Sequence, residues 1–241
     1  MPVTVGGMSH TRGVTIQVLD REMYAEAEAA RLLQVAQGTL HYWLEGGIRR
    51  GKRYLPIVRP EPTGSKIVTW GEFVEAGLLR QYRRIHNVPM LELRVVIERL
   101  RKDFDVPYPL AHARPFVGPG RRLLLEAQEA SSLPGEYWLV AIADGQPTLT
   151  PPSETFFERV DWVDDMAGAW RPAPDPKSPV RMRPDERFGL PAVGGVKTEI
   201  IWEHVEADES FEDVAEELAL TVDEVRWALA YETSLRAREA S

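Results

Sequence analysis

Apolar residues recur with a helical period in two short segments near the start of the chain. The first, residues 24–35, places Ala29, Leu32 and Leu33 on one face. After a three-residue break, residues 39–45 continue with the same period. The pattern therefore predicts two short helices joined by a tight turn.

Strand-like and helical segments follow this pair. The glycines at 46–47 are typical of a helix C-terminus. Residues 53–60 and 66–70 predict two strands, and the turn-rich sequence between them predicts a hairpin. Helices are expected over residues 71–84 and 90–104. This order, helix, turn, helix, β-hairpin, helix, helix, predicts a winged helix-turn-helix over residues 21–110.

The middle of the chain carries strand-like apolar runs separated by Pro and Gly turns. The runs are RRLLLEAQ, YWLVAIADGQPTLTPP and FFERVDWVDD, and they predict a small β unit over residues 111–170. Asp144-Gly145 is a favourable hairpin turn. The proline-rich sequence over residues 171–187 predicts a stiff connector.

Residues 188–241 are predicted to form a helical bundle that also has a helix-turn-helix outline. Ser210 is a favourable helix start, and Thr221 with Glu224 has the spacing of a capping box. The acidic residues of the last helix's first turn would repel phosphate, so this unit is expected to contact protein. Its predicted core or dimer-interface residues are Val214, Leu218, Val225, Leu229 and Tyr231. The fold class expected for the whole chain is α+β, mostly helical.

Composition narrows the classes of function. The chain has 241 residues, no cysteine and no apolar run near the length of a membrane span, so a cytoplasmic protein without disulfides or membrane contact is expected. Residues 1–20 are expected to be a flexible tail. The net charge of −8 is unevenly distributed. Residues 1–125 hold 19 basic and 12 acidic side chains (+7), whereas residues 126–241 hold 10 and 25 (−15). The two halves are therefore expected to bind different partners.

The positive half carries candidate DNA contacts. The second helix of such a motif lies in the major groove, and a β-wing reaches the flanking backbone. Gln37, Thr39, His41 and Tyr42 occupy the start of that helix and can donate or accept hydrogen bonds. The cations on or beside the predicted wing are Arg49, Arg50, Lys52, Arg53, Arg59 and Lys66. The alternative is a helix pair that serves only as a packing unit.

The sequence LLQVAQGTLHYWLEGG resembles the first helix-turn-helix of MerR-like regulators, whose second helix commonly begins Thr-Leu-Arg-Tyr-Tyr/Trp-Glu. The matching positions are Ala30, Val35, Thr39, Leu40, Tyr42, Trp43 and the closing glycines. Two positions depart from the pattern. His41 replaces the usual Arg, and Gln34 stands where a Gly often shapes the turn. The resemblance implies binding to double-stranded DNA.

The run RFGLPAVGGVKTEIIWEHVEADESFEDVAEELALTVDEVRWALAYE resembles a bacterial domain-of-unknown-function family whose members are commonly antitoxins. The family is typified by an opening Phe-Gly-x-Pro-x-Val-x-Gly and an Ala-Leu-x-Tyr ending. Together with the MerR-like front, the whole chain resembles the long VapB-type antitoxins. That resemblance implies a dimer, or a hetero-oligomer with toxin, that represses its own operon at operator DNA. It also implies inhibition of a PIN-like ribonuclease toxin.

A PIN-like active site is acidic, so an inhibitor is expected to offer it cations. An extended connector could reach into such a cleft with Lys177, Arg181, Arg183 and Arg187. Arg236 and Arg238 of the tail are the second choice. The alternative is that the connector cations are simply solvated.

Two further hypotheses stay open. A stand-alone MerR-like regulator would sense a ligand in its β unit. A magnesium-dependent hydrolase could use Glu154, Glu158, Asp161 and Asp165, which would share one face if that segment were helical. The five histidines show no metal-ligand spacing, and no nucleotide-binding or nucleophile motif occurs. The expectation is therefore a protein that is not an enzyme, with no catalytic residues, no metal and no cofactor.

Overall fold

The computed structural model describes residues 18–49, 51–86 and 90–239. Within these residues the protein is α+β, with about half of the chain in helices and the strands in two-stranded antiparallel sheets. Most of the predicted N-terminal tail, residues 1–17, lies outside the described residues.

The predicted helix pair is present with shifted boundaries. A short strand, β1 (Glu22–Ala25), precedes α1 (Glu26–Leu32), and α2 (Gln37–Glu45) follows after a tight turn. The predicted helical start at residue 24 is wrong because Tyr24 lies in β1, in register with Val68. Sequence periodicity alone does not show that pairing.

The predicted hairpin forms at a different place. Strand β2 (Gly47–Arg49) pairs with β3 (Lys52–Tyr54), whereas β4 (Ile67–Thr69) pairs with β1. The strand predicted over residues 53–60 is therefore wrong beyond residue 54. Pro56 and Pro60 have no N–H group for a ladder. The amides of residues 57 and 58 instead donate to the carbonyl oxygen of Trp43, at 2.8 and 3.0 Å.

Two long helices support this front part. Helix α3 (Trp70–His86) begins one residue before the predicted segment and ends two after it, and α4 (Met90–Phe104) has the predicted bounds. Trp43, Trp70 and Phe73 are fully buried between α2, α3 and the neighbouring elements. The main hydrophobic core runs from this region into the middle of the chain.

The predicted β unit is partly helical. RRLLLEAQ lies in α5 (Gly120–Glu129), so its strand prediction is wrong. Leu124, Ala127 and Gln128 form its buried face, at helical spacing. The hairpin β5 (Val140–Ala143) and β6 (Gln146–Leu149) turns at residues 144–145, as predicted.

The following segment combines one helix and one hairpin. Helix α6 (Pro151–Phe157) begins at the proline pair, and β7 (Val160–Val163) pairs with β8 (Met166–Trp170). The strand prediction for this run is therefore confirmed only in its second half.

The proline-rich connector packs against the rest of the protein. Val180 and Met182 are both fully buried, the first in the C-terminal core and the second in the main core. Met182 bridges to Trp170 in an antiparallel arrangement, as does Arg181 to Ala192. The expectation of an extended arm is wrong because these contacts hold the segment in place.

The described C-terminal residues form a short hairpin and three helices with a hydrophobic core of their own. Strands β9 (Ala192–Val193) and β10 (Val196–Lys197) precede the helices α7 (Thr198–Glu206), α8 (Phe211–Glu217) and α9 (Val222–Glu239). The structure does not describe residues 240–241. None of the helices among the described residues is long and apolar enough to span a membrane.

Both predicted helix caps of the bundle are confirmed. The amide of Asp213 donates to the Ser210 hydroxyl at 3.1 Å. The amide of Thr221 donates to the Glu224 carboxylate at 2.8 Å, and the amide of Glu224 donates back to Thr221 Oγ1 at 3.2 Å. Of the predicted core residues, Val214, Val225 and Tyr231 are buried, and Leu218 and Leu229 are half-buried.

Candidate nucleic-acid interface

The first turn of α2 presents uncapped backbone donors to solvent. Gln37 and Gly38 are exposed, and Thr39 is half-buried. The preceding residue, Ala36, supplies no side-chain acceptor. The N-terminal amides of a helix carry a partial positive charge and can donate to a phosphate oxygen. In this turn the amide of Thr39 already donates to the carbonyl oxygen of Ala36 at 2.8 Å.

The hairpin β2–β3 places cations beside this helix. Lys52 and Arg53 are exposed, and Arg49 stands opposite Lys52 in the register. Arg50, and the side chain of Arg49, lie outside what the structure describes. Ile48, opposite Arg53, is 74% exposed. The described part of the hairpin is therefore a basic projection that carries little of the core.

Two aromatic rings fix the hairpin to α2. The rings of Tyr42 and Tyr54 meet edge to face, with centroids 6.3 Å apart. Lys52 Nζ lies 5.6 Å from the centre of the Tyr54 ring. The DNA contacts expected from sequence include Tyr42 but not Tyr54, which stands opposite Gly47 in a pairing that the sequence pattern did not predict.

A glycine joins the helix to the hairpin. Gly46 has a φ of +71°, and a Cβ atom there would overlap the carbonyl group of Tyr54. Only glycine combines this left-handed conformation with so close a backbone approach. The predicted glycine end of the helix is confirmed, and the glycine also positions the hairpin.

His41 and Lys66 converge on a buried carboxylate that sequence analysis missed. Glu26 Oε2 lies 3.0 Å from His41 Nδ1 and 3.4 Å from Lys66 Nζ. Glu26 is 3% exposed. Burial disfavours its charged form, but the hydrogen bond and charge of His41, together with Lys66, hold the pKa of Glu26 below its usual range. His41 Nε2 takes no part in these contacts, so it is the ring atom left for a base or phosphate.

Arg59 does not belong to the exposed surface. It is 2% exposed, and its guanidinium donates to Glu72 at 2.7 and 3.1 Å and to the carbonyl oxygen of Ile67 at 2.8 Å. It also pairs with Glu45. Burial disfavours the charge, but Glu72 and Glu45 outweigh that effect and raise the pKa of Arg59. The sequence-based choice of Arg59 as a phosphate contact is therefore not supported, because its donors are already bound inside the protein.

The structure shows how Gln34 can replace the glycine of the MerR-like pattern. It lies in the turn between α1 and α2 with a φ of +52°, the left-handed conformation that glycine adopts most easily. The Arg80 guanidinium of α3 donates to its side-chain oxygen. The non-glycine residue is thus held in place by a contact from a distant helix.

Two of the four cations proposed for toxin binding lie in local ion pairs. Arg181 is 3.2 Å from Asp161, and Arg183 is 3.9 Å from the same carboxylate. Arg187 donates to the carbonyl oxygen of Gly195. Lys177 is exposed. The arginines are therefore bound to the folded protein and do not extend from it as an arm.

An exposed aromatic residue next to these cations was missed by sequence analysis. Phe188 is 83% exposed. Arg187, Phe188 and Gly189 have φ values of +48°, +56° and +74°. A left-handed conformation is unfavourable for a bulky residue, and such strain clusters at functional sites. The Phe-Gly opening of the C-terminal unit was the sequence signal for this feature.

The acids considered for a hydrolase do not share a helical face. Helix α6 ends before Glu158, and Asp161 lies in β7. Asp161 pairs with Arg181, and Asp165 lies 2.6 Å from Arg114. This arrangement removes the geometric basis of the hydrolase hypothesis.

Comparisons with known proteins place the chain in a family. No protein-family model matches it. It is 33% identical over 232 residues to the uncharacterized protein Rv2308 of Mycobacterium tuberculosis, covering 91% of this chain and 93% of that protein. The chain therefore belongs to the family of Rv2308. It also resembles the crystal structure of Rv2018 from Mycobacterium tuberculosis, with a TM-score of 0.70 and 27% identity over 88% of this chain and 100% of that one.

Proposed function

We propose that this protein is a DNA-binding regulator of the antitoxin kind. In this proposal α1, α2, the hairpin β2–β3, α3 and α4 act as a winged helix-turn-helix. The observation that carries it is the exposed first turn of α2, fixed by the Tyr42–Tyr54 contact beside a hairpin with exposed cations. A helix N-terminus and a basic projection on one surface suit a major groove and its flanking phosphates.

The chemistry of the exposed side chains supports distinct roles. Gln37 is exposed and has the amide that pairs with adenine, so it is assigned to base contact. Lys52 and Arg53 are assigned to phosphates. Arg49 and Arg50, which are close to them in the sequence, are proposed for the same role. Lys66 shares Glu26 with His41, so we assign it a smaller part.

Salt dependence tests the phosphate contacts. Binding would be measured by fluorescence anisotropy on a duplex from upstream of the protein's own gene, at several salt concentrations. The double variant Lys52→Ala/Arg53→Ala is expected to lower the slope of log affinity against log salt by about 2, since each phosphate contact contributes about 0.9. Arg122→Ala removes a cation that is 79% exposed on α5 and serves as the matched control. An unchanged slope in the double variant, or an equal change in the control, would contradict the assignment.

Base contact has a different signature. Gln37→Ala is expected to weaken binding to the operator by about 1–3 kcal/mol and to leave binding to unrelated duplexes unchanged. Equal losses on both duplexes would place Gln37 on the backbone instead.

We further propose that the surface formed by Arg183, Arg187 and Phe188 docks a partner protein. An exposed aromatic side chain on a left-handed backbone, next to arginines, has the composition of an interface anchor. On the VapB-type resemblance, the partner we propose is a PIN-like ribonuclease toxin. Arginines suit the acidic active site of such an enzyme.

Co-expression tests the inhibitor role. The neighbouring reading frame would be expressed with and without this chain, and growth, RNA cleavage and co-purification would be scored. The chain is expected to silence a toxic neighbour in a stable complex, and Phe188→Ala is expected to weaken that complex at least tenfold. Ile142→Ala truncates an apolar side chain that is 55% exposed in β5 and should leave the complex intact. A harmless neighbour that forms no complex would end the inhibitor proposal without affecting the DNA-binding one.

A further inference from the structure

A cavity of about 440 Å³ lies between the helix-turn-helix region and the last helix. Its walls come from α3, from α6 and Arg159 beyond its end, from the connector and from α9. The Gln34 turn also lines it. This volume is in the range of small-molecule sites. The ligand sensor hypothesised from sequence was the β unit of residues 111–170, and Thr155 and Arg159 of that unit line the cavity.

One wall carries a cation without an acidic partner. The Arg159 guanidinium donates to the carbonyl oxygen of Arg171 at 3.0 Å and to that of Pro172, and it lies 5.5 Å from the centre of the Trp170 ring. Within the described residues no carboxylate lies within 4 Å of it. Burial, together with the neighbouring Arg171, lowers the pKa of Arg159 to about 10. Asp175 is the one acidic residue among the described residues that line the cavity, and it forms no ion pair with Arg159. Positive charge at this wall is therefore only partly compensated, and an anion would be favoured there.

Helix α9 and the connector contribute aromatic and apolar surface and a buried hydroxyl to the cavity. Trp227 and Tyr231 of α9 line the cavity, and Pro172 and Pro174 add apolar surface. Tyr231 is 8% exposed, and its hydroxyl has no hydrogen-bond partner among the described residues. A buried polar group without a partner is unfavourable, so a ligand that bonds to it would gain affinity.

We propose that this cavity binds a small planar organic anion. The aromatic part of the ligand would lie against Trp227 and the prolines. The anionic group would lie toward Arg159 and Arg80, with Tyr231 as a further hydrogen-bond partner. Aromatic carboxylates and nucleoside monophosphates share this chemistry, and the two classes are separated by the experiment below.

The cavity is also connected to the turn of the DNA-binding region. Arg80 lines the cavity and donates to the side chain of Gln34, which holds the strained turn between α1 and α2. A bound anion would compete with Gln34 for Arg80, and the start of α2 would lose part of its support. Ligand binding is therefore expected to weaken DNA binding. This regulatory part rests on the proposed function, whereas the cavity itself does not.

Calorimetry on the full chain tests the cavity. Benzoate, indole-3-acetate and adenosine 5′-monophosphate would be titrated beside their uncharged counterparts benzamide, indole-3-acetamide and adenosine. At least one anion is expected to bind, at least tenfold more tightly than its uncharged counterpart. Binding of benzoate or indole-3-acetate would identify the ligand class as aromatic carboxylates. Binding of adenosine 5′-monophosphate alone would identify it as nucleoside monophosphates. If none of the anions binds at concentrations up to about 10 mM, the proposal is overturned.

Variants locate the site. Ala230→Phe fills the cavity from the exposed side of α9 and is expected to weaken binding at least tenfold. Tyr231→Phe removes only the unpartnered hydroxyl, so the fold should persist while binding weakens about fivefold. Arg226→Ala, on the same helix and outside the cavity, should leave binding unchanged. Full binding by Ala230→Phe would refute this location.

The regulatory part has its own readout. DNA affinity would be measured with and without saturating ligand, and a decrease of at least fivefold is expected. Gln34→Gly removes the side chain that Arg80 holds and should abolish this decrease. If the ligand binds and DNA affinity is unchanged, the regulatory part is wrong. If the protein does not bind DNA at all, the proposed function fails and the calorimetric result still stands.

Discussion

Replacing the buried Arg59 by methionine tests whether this arginine stabilises the fold, in contrast to the arginines exposed on the hairpin. The guanidinium bonds to Glu72 at 2.7 and 3.1 Å, to Thr63 at 2.8 Å and to backbone oxygens, and it pairs with Glu45. The side chains of Arg59, Glu72 and Glu45 are 3%, 6% and 11% exposed. Arg59→Met keeps much of the side-chain length and removes every one of these bonds.

The expected loss follows from the charge left behind. Breaking a buried ion pair by removing one partner destabilises a protein by about 3–5 kcal/mol, because the other charge stays buried. Glu72 keeps one bond, from the amide of Thr69 at 2.9 Å, and Glu45 keeps that of Gly64 at the same distance. These remaining bonds favour the lower part of the range, so we expect a loss of about 3 kcal/mol. That is a large share of the roughly 5–15 kcal/mol typical of a folded protein.

Urea unfolding measures this loss, with the midpoint and slope compared between variants. Arg53→Met is the matched control, since Arg53 is exposed on the hairpin. It should change the free energy of unfolding by at most about 0.5 kcal/mol and should lower DNA affinity. The double variant Arg59→Met/Glu72→Gln should recover part of the loss because it removes the stranded charge. A loss below about 1 kcal/mol for Arg59→Met would refute the reasoning, since it would mean that water solvates Glu72 as well as Arg59 does.

Three further substitutions test other parts of the fold. Ala219→Gly should raise the free energy of unfolding by about 1 kcal/mol in urea, because Ala219 follows α8 with a φ of +54° that favours glycine; no gain would mean that the strain is absent in solution. Gly46→Ala should lower the free energy of unfolding by roughly 2 kcal/mol or more, since the added Cβ meets the Tyr54 carbonyl group. A nearly unchanged free energy of unfolding in the same assay would contradict the tight approach. Burial raises the pKa of Glu75 from 4.5 to about 7. The folded state therefore holds this proton when the unfolded state has lost it, and stability should fall by up to about 1.4 kcal/mol per pH unit as pH rises from about 4.5 to 7. Glu75→Gln should flatten that part of the stability profile, and parallel profiles would disprove the assignment.

Sequence alone determined the features that depend on neighbours a few residues apart. The caps at Ser210 and Thr221, the end of α2 at Gly46 and the bounds of α4 all follow from side chains within about one helical turn. Their hydrogen bonds and packing faces are local, so residue types at fixed spacing carry the information. The charge difference between the two halves of the chain is likewise a property of the sequence.

Tertiary structure alone decided which distant segments meet. β4 pairs with β1 across more than forty residues, and the leucine run of α5 fits a helix because its buried face meets the main core. Arg59 and Arg53 are the same residue type a few positions apart. The fold surrounds Arg59 with Glu72 and Glu45 and leaves Arg53 in solvent, because burial depends on what the rest of the chain places nearby. The cavity has the same origin, since Arg159 and Tyr231 become its walls only when the last helix packs against the middle of the chain.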